Sequence, residues 1–399
     1  MIEQGIDRPT AVPPPPRTSA PVRILFATSE SPGSGGSATA AYDLFRIASS
    51  AGHDVHFASL LDDGDAAWSA RVLGPHSENP DRLPGVHSVR VPVSLRTPST
   101  TAVEFIEALQ PEVVAGFGHI AVNRLKGISR ALPVAFVTGS CRQAQDYVTS
   151  GLVRDAQGLR RRLEDRTLIA RPVHRHEVAA VDRCDLVITH SQLTFDMMSA
   201  FFPGASGKIW PGIVPFEDWI VERARAERSL AQPFDQRDID LLFVASNWRR
   251  PEKNYALVAD LASRMQGASV HVVGDVPHPI PGVVHHGFIG RRDEVFALIG
   301  RSRCVACPSL IDAAPGILYE ATVLGANVVA SLNCGNAHLC PPGLVAETLD
   351  ADVFIQCVRR GLERPYPTSL AAPSWRAFEH LMKVLAALAR PIGGPRVAA

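Results

Sequence analysis

Short runs of branched apolar residues, each followed by a longer stretch with apolar positions every three or four residues, set the rhythm of this chain. "VRILFATS" (22–29) is continuous rather than alternating, as expected of a strand buried on both faces of a parallel sheet. The turn "ESPGSGGS", the helical pattern "ATAAYDLFRIASSAGH" and the strand pattern "DVHFASL" follow, which together make a βαβ unit. "PEVVAGFGH", "PVAFVTGS" and "CDLVITHS" read as further strands, with the charged stretch 151–183 between the last two read as helical. "GKIWPGIVPFEDW" ends this round and the polar "ERARAERSLAQPFDQRD" follows. The rhythm then restarts with "IDLLFVAS", a helix at 254–265, "SVHVVGD", "GVVHHGF", a helix at 292–300, "CVACPS", a helix after Pro315, and "ANVVAS".

Two such rounds predict an α/β protein of two doubly wound, Rossmann-like domains facing across a cleft, where ligands of such folds sit. The expected division is a disordered Pro-rich segment at 1–21, a first domain at 22–220, a linker at 221–238 and a second domain at 239–372. Residues 373–399 complete it as a C-terminal helix and tail. That helix carries an apolar stripe of Trp375, Phe378, Leu381 and Met382, which either packs on its own domain or returns to the first.

Composition narrows the function classes. Lysine plus arginine and aspartate plus glutamate both number 40, so no net charge draws the whole molecule to nucleic acid or an anionic membrane. No apolar run reaches the length of a bilayer span. Seven cysteines, odd in number and scattered, fit a reducing compartment, and a cytoplasmic protein is expected.

The chemistry gathers in two stretches of the second half. In "PSLIDAAPGILYEA" (308–321) Asp312 precedes a helix start at Pro315–Gly316, and Ile317 and Leu318 begin its buried face. Glu320 lies about 7–8 Å inside at about 1.5 Å per residue, and helical side chains lean toward the N-terminus. A helix start favours an anion, phosphate above all, and carboxylates accept hydrogen bonds from sugar hydroxyls. The competing reading makes Asp312 a helix cap and Glu320 a solvated acid. "FVASNWRRPEKNYALV" (243–258) places Arg249, Arg250 and Lys253 in a turn between strand and helix, suited to a diphosphate. Its competing reading is a solvated basic turn.

"FVASNWRRPEKN", "SLIDAAPGILYEATVLGANVVAS" and the glycine-rich first turn together resemble the retaining GT-B-fold glycosyltransferases of family 4 (glycosyl transferases group 1). The resemblance implies that Asp312 and Glu320 fill that family's pair of acids, meeting donor sugar and ribose respectively. It implies that Arg250 (or Arg249) and Lys253 bind the diphosphate. "HHGFIGRRDE" with Phe288 and Ile289, together with Gly274, would then lie near the base, and the turn with Gly35 and Gly36 near the diphosphate and acceptor. Pro315, Gly316 and Ile317 would frame the helix start. The first acid is Asp where the family carries Glu. Where the family often places a histidine after "PVAFVT", this chain has Gly139; His119, after the preceding strand, is the candidate substitute, with a plain loop histidine as its competitor.

The activity implied is metal-independent, retaining transfer of a sugar from a nucleoside-diphosphate sugar to an acceptor hydroxyl. UDP is favoured by family frequency, the nucleotide sugar is a co-substrate rather than a cofactor, and the acceptor is a small natural product or a saccharide. Two rivals share the pattern: a nucleotide-sugar 2-epimerase, and a non-catalytic glycosyltransferase-like subunit that binds sugar nucleotides. No nucleic-acid partner is expected, and a peripheral membrane contact through "GLRRRLEDR" (158–166) is not favoured. "DDGD" (62–65), "CVAC" (304–307) and "CGNAHLC" (334–340) are not read as metal sites.

Overall fold

The computed structural model describes residues 22–30, 36–62, 84–91, 99–125, 127–150, 174–211, 216–366, 370 and 375–389. The first sheet holds β1 (Ile24–Thr28), β2 (Val55–Asp62), β3 (Val86–Val91), β4 (Val113–Phe117), β5 (Val134–Thr138), β6 (Leu186–Thr189) and β7 (Ile209–Trp210), in the order β3-β2-β1-β4-β5-β6-β7. The second holds β8 (Ile239–Asn247), β9 (Val270–Asp275), β10 (Val284–Gly287), β11 (Ser302–Cys307), β12 (Asn327–Ser331) and β13 (Val345–Ala346), in the order β10-β9-β8-β11-β12-β13. Neighbouring strands run parallel throughout; Ile24, for example, faces Val55 on one side and Val113 on the other.

The apolar runs explain this layering. β1, β4 and β5 are buried at every position, because helices cover both faces of a parallel sheet. The edge strand β3, "VHSVRV", alternates instead over its second half: Val89 and Val91 turn into one core, Ser88 and Arg90 turn the other way to solvent, and Val86, on that second face, is buried at the strand's start. Strand order reverses between β1 and β4 in the first sheet and between β8 and β11 in the second. Chains leaving those neighbouring strands diverge to opposite faces and open a crevice at their carboxyl ends. Among the described residues three segments therefore face the crevices: His119 after β4, the turn 248–254 after β8, and the loop 308–315 after β11.

One region departs from the outline predicted above, and the final helix takes one of the two courses that outline allowed. Within the stretch expected as a linker, 221–226 is the second half of the helix Phe216–Ala226, and Ala224 belongs to the core of the second domain. Arg237, 5% exposed, donates to the carbonyls of Gln232, Ser302 and Leu324, so this polar stretch is built into the second domain. The final helix, Arg376–Leu388, sends Phe378, Leu381, Met382 and Leu385 into the core of the first domain beside Phe26 and Phe57. The Pro-rich N-terminus, Gly35 and its turn, 63–65 of "DDGD", and 158–166 lie outside the described residues.

Ile311, in the loop after β11 of the second domain, is 2% exposed and packs in the first domain's core, with Leu310 beside it. The residue next to Asp312 is therefore anchored in the opposite half of the molecule.

Candidate functional site

The turn after β8 is fixed by buried contacts before any charge is considered. Trp248 is 3% exposed; its indole donates to the carbonyl of Val273 at 2.9 Å and its amide to that of Asp275 at 2.8 Å. Gly274 has φ +126°, and a Cβ there would stand 1.8 Å from the Ala245 carbonyl oxygen, so only glycine fits. A single 3₁₀ turn, Pro251–Lys253, ends at Asn254 in the left-handed region (φ 59°), a conformation Asn tolerates well. Asn254 also donates from its side chain to the carbonyl of Pro308, and Leu310 N–H donates to that of Glu252. The turn and the loop after β11 are thus zipped together.

That zipper sets Lys253 against Asp312, Nζ to Oδ2 2.5 Å, with both side chains largely buried. Burial works against the Lys253 charge, but Asp312 beside it outweighs this and the ammonium's pKa is raised. Asp312 does not cap the helix that follows. The helix Gly316–Val323 begins at Pro315 without a side-chain cap, which removes the structural competitor for Asp312. The other basic residues of the turn have partners of their own: Arg250 reaches buried Glu252 at 2.5 Å, and exposed Arg249 pairs with Asp275 at 2.9 Å.

Glu320 is 2% exposed, which excludes a solvated acid. One oxygen, Oε1, accepts from Arg292, whose guanidinium lies over the ring of Phe296, as does that of Arg223. Its second oxygen has no hydrogen-bond partner among the described residues. Arg292 falls inside "HHGFIGRRDE", a segment the family resemblance would put near the base, but its partnership with Glu320 is made by packing alone. Phe288 stands exposed just beyond the edge strand β10, and Ile289 packs on the second core. Gly316 opens the helix, and Ile317 is buried in the core.

On the first domain, Gly118 (φ 85°) turns the chain after β4 so that His119 begins a short helix, His119–Arg124. The His119 ring meets His174 edge-on, centroids 4.7 Å apart. Burial, then His174, Arg142 and His176, push its pKa down to about 3, so it is a neutral imidazole. Nearby, buried Glu177 accepts the N–H groups of Arg142 and Gln143, each at 2.7 Å, at the start of the helix Arg142–Thr149. Burial pushes the Glu177 pKa up to about 7. That helix touches the turn Pro251–Lys253 across the crevice.

Gly139 is explained by a residue the sequence reading passed over. A Cβ at Gly139 would come within 2.6 Å of His190 Nδ1. β5 and β6 pair Thr138 with Thr189, so His190 sits directly beside Gly139 and its ring fills the space a side chain there would need. Burial pushes His190 down to about 3. "CDLVITHS" carried the available signal, a histidine immediately after a predicted strand.

The backbone is similar to several known structures. Sucrose-phosphate synthase from Thermosynechococcus elongatus matches at TM-score 0.57 and 16% identity, over 92% of this chain and 96% of that one. HepE from Anabaena, in complex with UDP and glucose, matches at 0.59 and 13% identity, over 92% and 100%. WaaG, a glycosyltransferase involved in lipopolysaccharide biosynthesis, matches at 0.53 and 16%, over 92% and 94%. The fold is GT-B. No family model and no curated protein matches the sequence. In this GT-B frame Lys253 and Asp312 belong to the second domain, at its switch point, and His119 and His190 belong to the first. Among the described residues no three His, Cys, Asp or Glu side chains are grouped to hold a metal, and no helix is long and apolar enough to cross a membrane.

Proposed function

We propose that this protein is a retaining glycosyltransferase of the family 4 type, moving a sugar from a nucleoside-diphosphate sugar to an acceptor hydroxyl, with UDP the favoured nucleotide. The observation that carries the reading is the Lys253–Asp312 pair at the mouth of the Gly316–Val323 helix, where the second sheet's strand order reverses. A cation and an acid held 2.5 Å apart beside a helix start match a ligand in which phosphate and hydroxyl groups are adjacent. Similarity to GT-B structures, one of them holding UDP and glucose, supports it further.

In this reading Lys253 and Arg250 take the diphosphate, Asp312 a hydroxyl of the donor sugar, and Glu320 the ribose. These cations do the work a metal would otherwise do, which is the basis for proposing metal-independent transfer. As the bond between the anomeric carbon and the phosphate oxygen breaks, the acceptor oxygen bonds to that carbon from the same face. Its proton passes to the departing diphosphate. No protein nucleophile is needed, and the protein's contribution is fixed positive charge where negative charge develops. His119 and His190, both neutral, line the acceptor side, where a small natural product or a saccharide would enter. Seven buried free thiols suit a cytoplasmic location.

A thermal-shift screen with UDP, GDP, ADP, dTDP and their glucose esters tests this. A ligand at 100 times its Kd stabilises by about 2.7 kcal/mol, worth roughly 5–10 °C for a domain of this size. One nucleotide is expected to stand out. Its ester should then release nucleotide only when an acceptor is supplied; turnover of donor alone would indicate an epimerase, and no shift with any of the eight ligands would refute the reading.

A further inference from the structure

The loop after β12, "LNCGN" (332–336), overlaps "CGNAHLC", which is not read as a metal site, and it forms part of the same mouth. Asp312 N–H donates to the carbonyl of Asn333 at 3.0 Å, and Gly335 N–H donates to that of Asp312 at 2.8 Å. Gly335 is held on both sides: a Cβ there would meet the Ala313 carbonyl oxygen at 1.7 Å and Ser191 Oγ of the first domain at 2.6 Å. The loop therefore lies between Asp312 and the opposite half of the molecule.

Two asparagine side chains flank that glycine, Asn333 at 1% and Asn336 at 2% exposure. Asn333 Nδ2 donates to the carbonyl of Leu310 at 2.6 Å, and Asn336 Nδ2 donates to that of Pro315 at 2.9 Å. These bonds fix the orientation of both amides, because a flipped amide would set oxygen against carbonyl oxygen. Each Oδ1 is thus committed as an acceptor, and neither has a donor among the described residues. The second oxygen of Glu320, on the helix that starts at the same mouth, is in the same condition. Buried polar atoms are nearly always partnered, so three acceptors left over around one helix start form a pattern that needs a cause.

Resting on the nucleotide-sugar reading, we infer that Asn333 and Asn336 are specificity-determining residues that accept hydrogen bonds from hydroxyls of the donor sugar. Asp312, Asn333 Oδ1 and Asn336 Oδ1 stand around the start of the helix Gly316–Val323 as side-chain acceptors. Such a set favours a neutral hexose rich in free hydroxyls over a uronic acid, whose carboxylate these oxygens repel. A merely structural role, tying the loop 310–315 in place, would affect nucleotide and sugar alike.

Calorimetry on the full chain separates the two. For the nucleotide that binds best among UDP, GDP, ADP and dTDP, the ratio of its Kd to that of its glucose ester measures what the sugar adds. In N333A and N336A that ratio is expected to fall about tenfold, the size of one lost hydrogen bond, while the nucleotide's own Kd stays within about threefold. Glucosyl donors with single hydroxyls replaced by hydrogen should show at least one position whose loss weakens binding to the wild type but not to the variant. The glucuronosyl ester should bind no more tightly than the free nucleotide. An unchanged ratio in both variants, equal losses for nucleotide and ester, or a glucuronosyl gain matching that of glucose would each overturn the inference while leaving the nucleotide site standing. If none of the four nucleotides binds, the underlying reading fails and this inference with it.

Discussion

Replacing Lys253 by Met keeps most of the side-chain volume but removes the cation set against Asp312. The contact is 2.5 Å, with the two side chains 20% and 15% exposed, so solvent screens it only in part. Two effects follow, and they must be kept apart. For stability, removing one partner of a buried pair costs about 3–5 kcal/mol; at the edge of a crevice about 2–3 kcal/mol is the better expectation. That corresponds to roughly 4–12 °C in the melting temperature of a domain this size. For the ligand, one unit charge about 4 Å from a phosphate contributes about 4 kcal/mol at an effective dielectric near 20, and less where water reaches it. Nucleotide affinity should thus drop between about thirtyfold and a thousandfold.

The double variant K253M/D312N distinguishes the two, because it leaves no unpaired carboxylate. Its melting temperature should return most of the way to wild type, while nucleotide affinity and sugar transfer stay lost. Calorimetry with the best nucleotide, chemical denaturation and nucleotide release in the presence of acceptor provide the three readouts. Should K253M bind the nucleotide within about threefold of wild type, Lys253 does not meet the diphosphate and the proposed function loses its central support. Should the double variant remain as unstable as K253M, the instability comes from lost packing rather than from a stranded charge.

Acid stability offers a second test. His119 and His190 are held at about 3 in the folded protein against 6.5 when unfolded, so the unfolded chain binds more protons between those values. Stability should fall as pH drops through that window, by up to about 1.4 kcal/mol per pH unit for each histidine. Glu177, at about 7 against 4.5, opposes this because its folded form keeps a proton the unfolded form has lost. The decline should be gentle between about pH 6.5 and 4.5 and roughly twice as steep below; urea titrations across this range that show no steepening would refute the burial of these rings. Gly335→Ala tests the loop beside Asp312: backbone oxygen 1.7 Å from the new Cβ cannot yield as a flexible side chain would. A loss of at least about 2 kcal/mol in denaturant is expected, and a near-neutral result would show that the loop is not held as described.

How much of this was legible in the sequence depended on whether a feature is local. The central strands were, because "ILFAT", "VVAGF" and "VAFVT" are apolar throughout and only a doubly covered sheet accommodates that. Lys253 and Asp312 were too, each lying just beyond a strand's carboxyl end, and strand order then brings β8 beside β11. Arg292 was not, since it lies 28 residues before Glu320 and only the packing of one helix on another joins them. Gly139 read as a missing side chain because the register of β5 on β6, which lays His190 beside it, is a tertiary fact. The stretch 221–238 read as a linker because its few apolar residues, Val221 and Ala224 among them, are too sparse to mark a buried face.

The pairing of charges in the site bears on what it can bind. Arg249, Arg250, Lys253 and Arg292 each have a carboxylate partner: Asp275, Glu252, Asp312 and Glu320. A free anion would have to draw a cation away from its acid and leave that acid stranded, which offsets part of the gain. A nucleoside-diphosphate sugar avoids this penalty, because its phosphates take the cation while its hydroxyls donate to the acids released. In the proposed reading a sugar hydroxyl takes the place of Lys253 on Asp312 as the ammonium turns to the diphosphate, and Arg292 and Glu320 stand in the same relation to the ribose. On that reading the paired charges favour the whole donor over its fragments, and the asparagine oxygens proposed to meet the sugar extend that preference to its remaining hydroxyls.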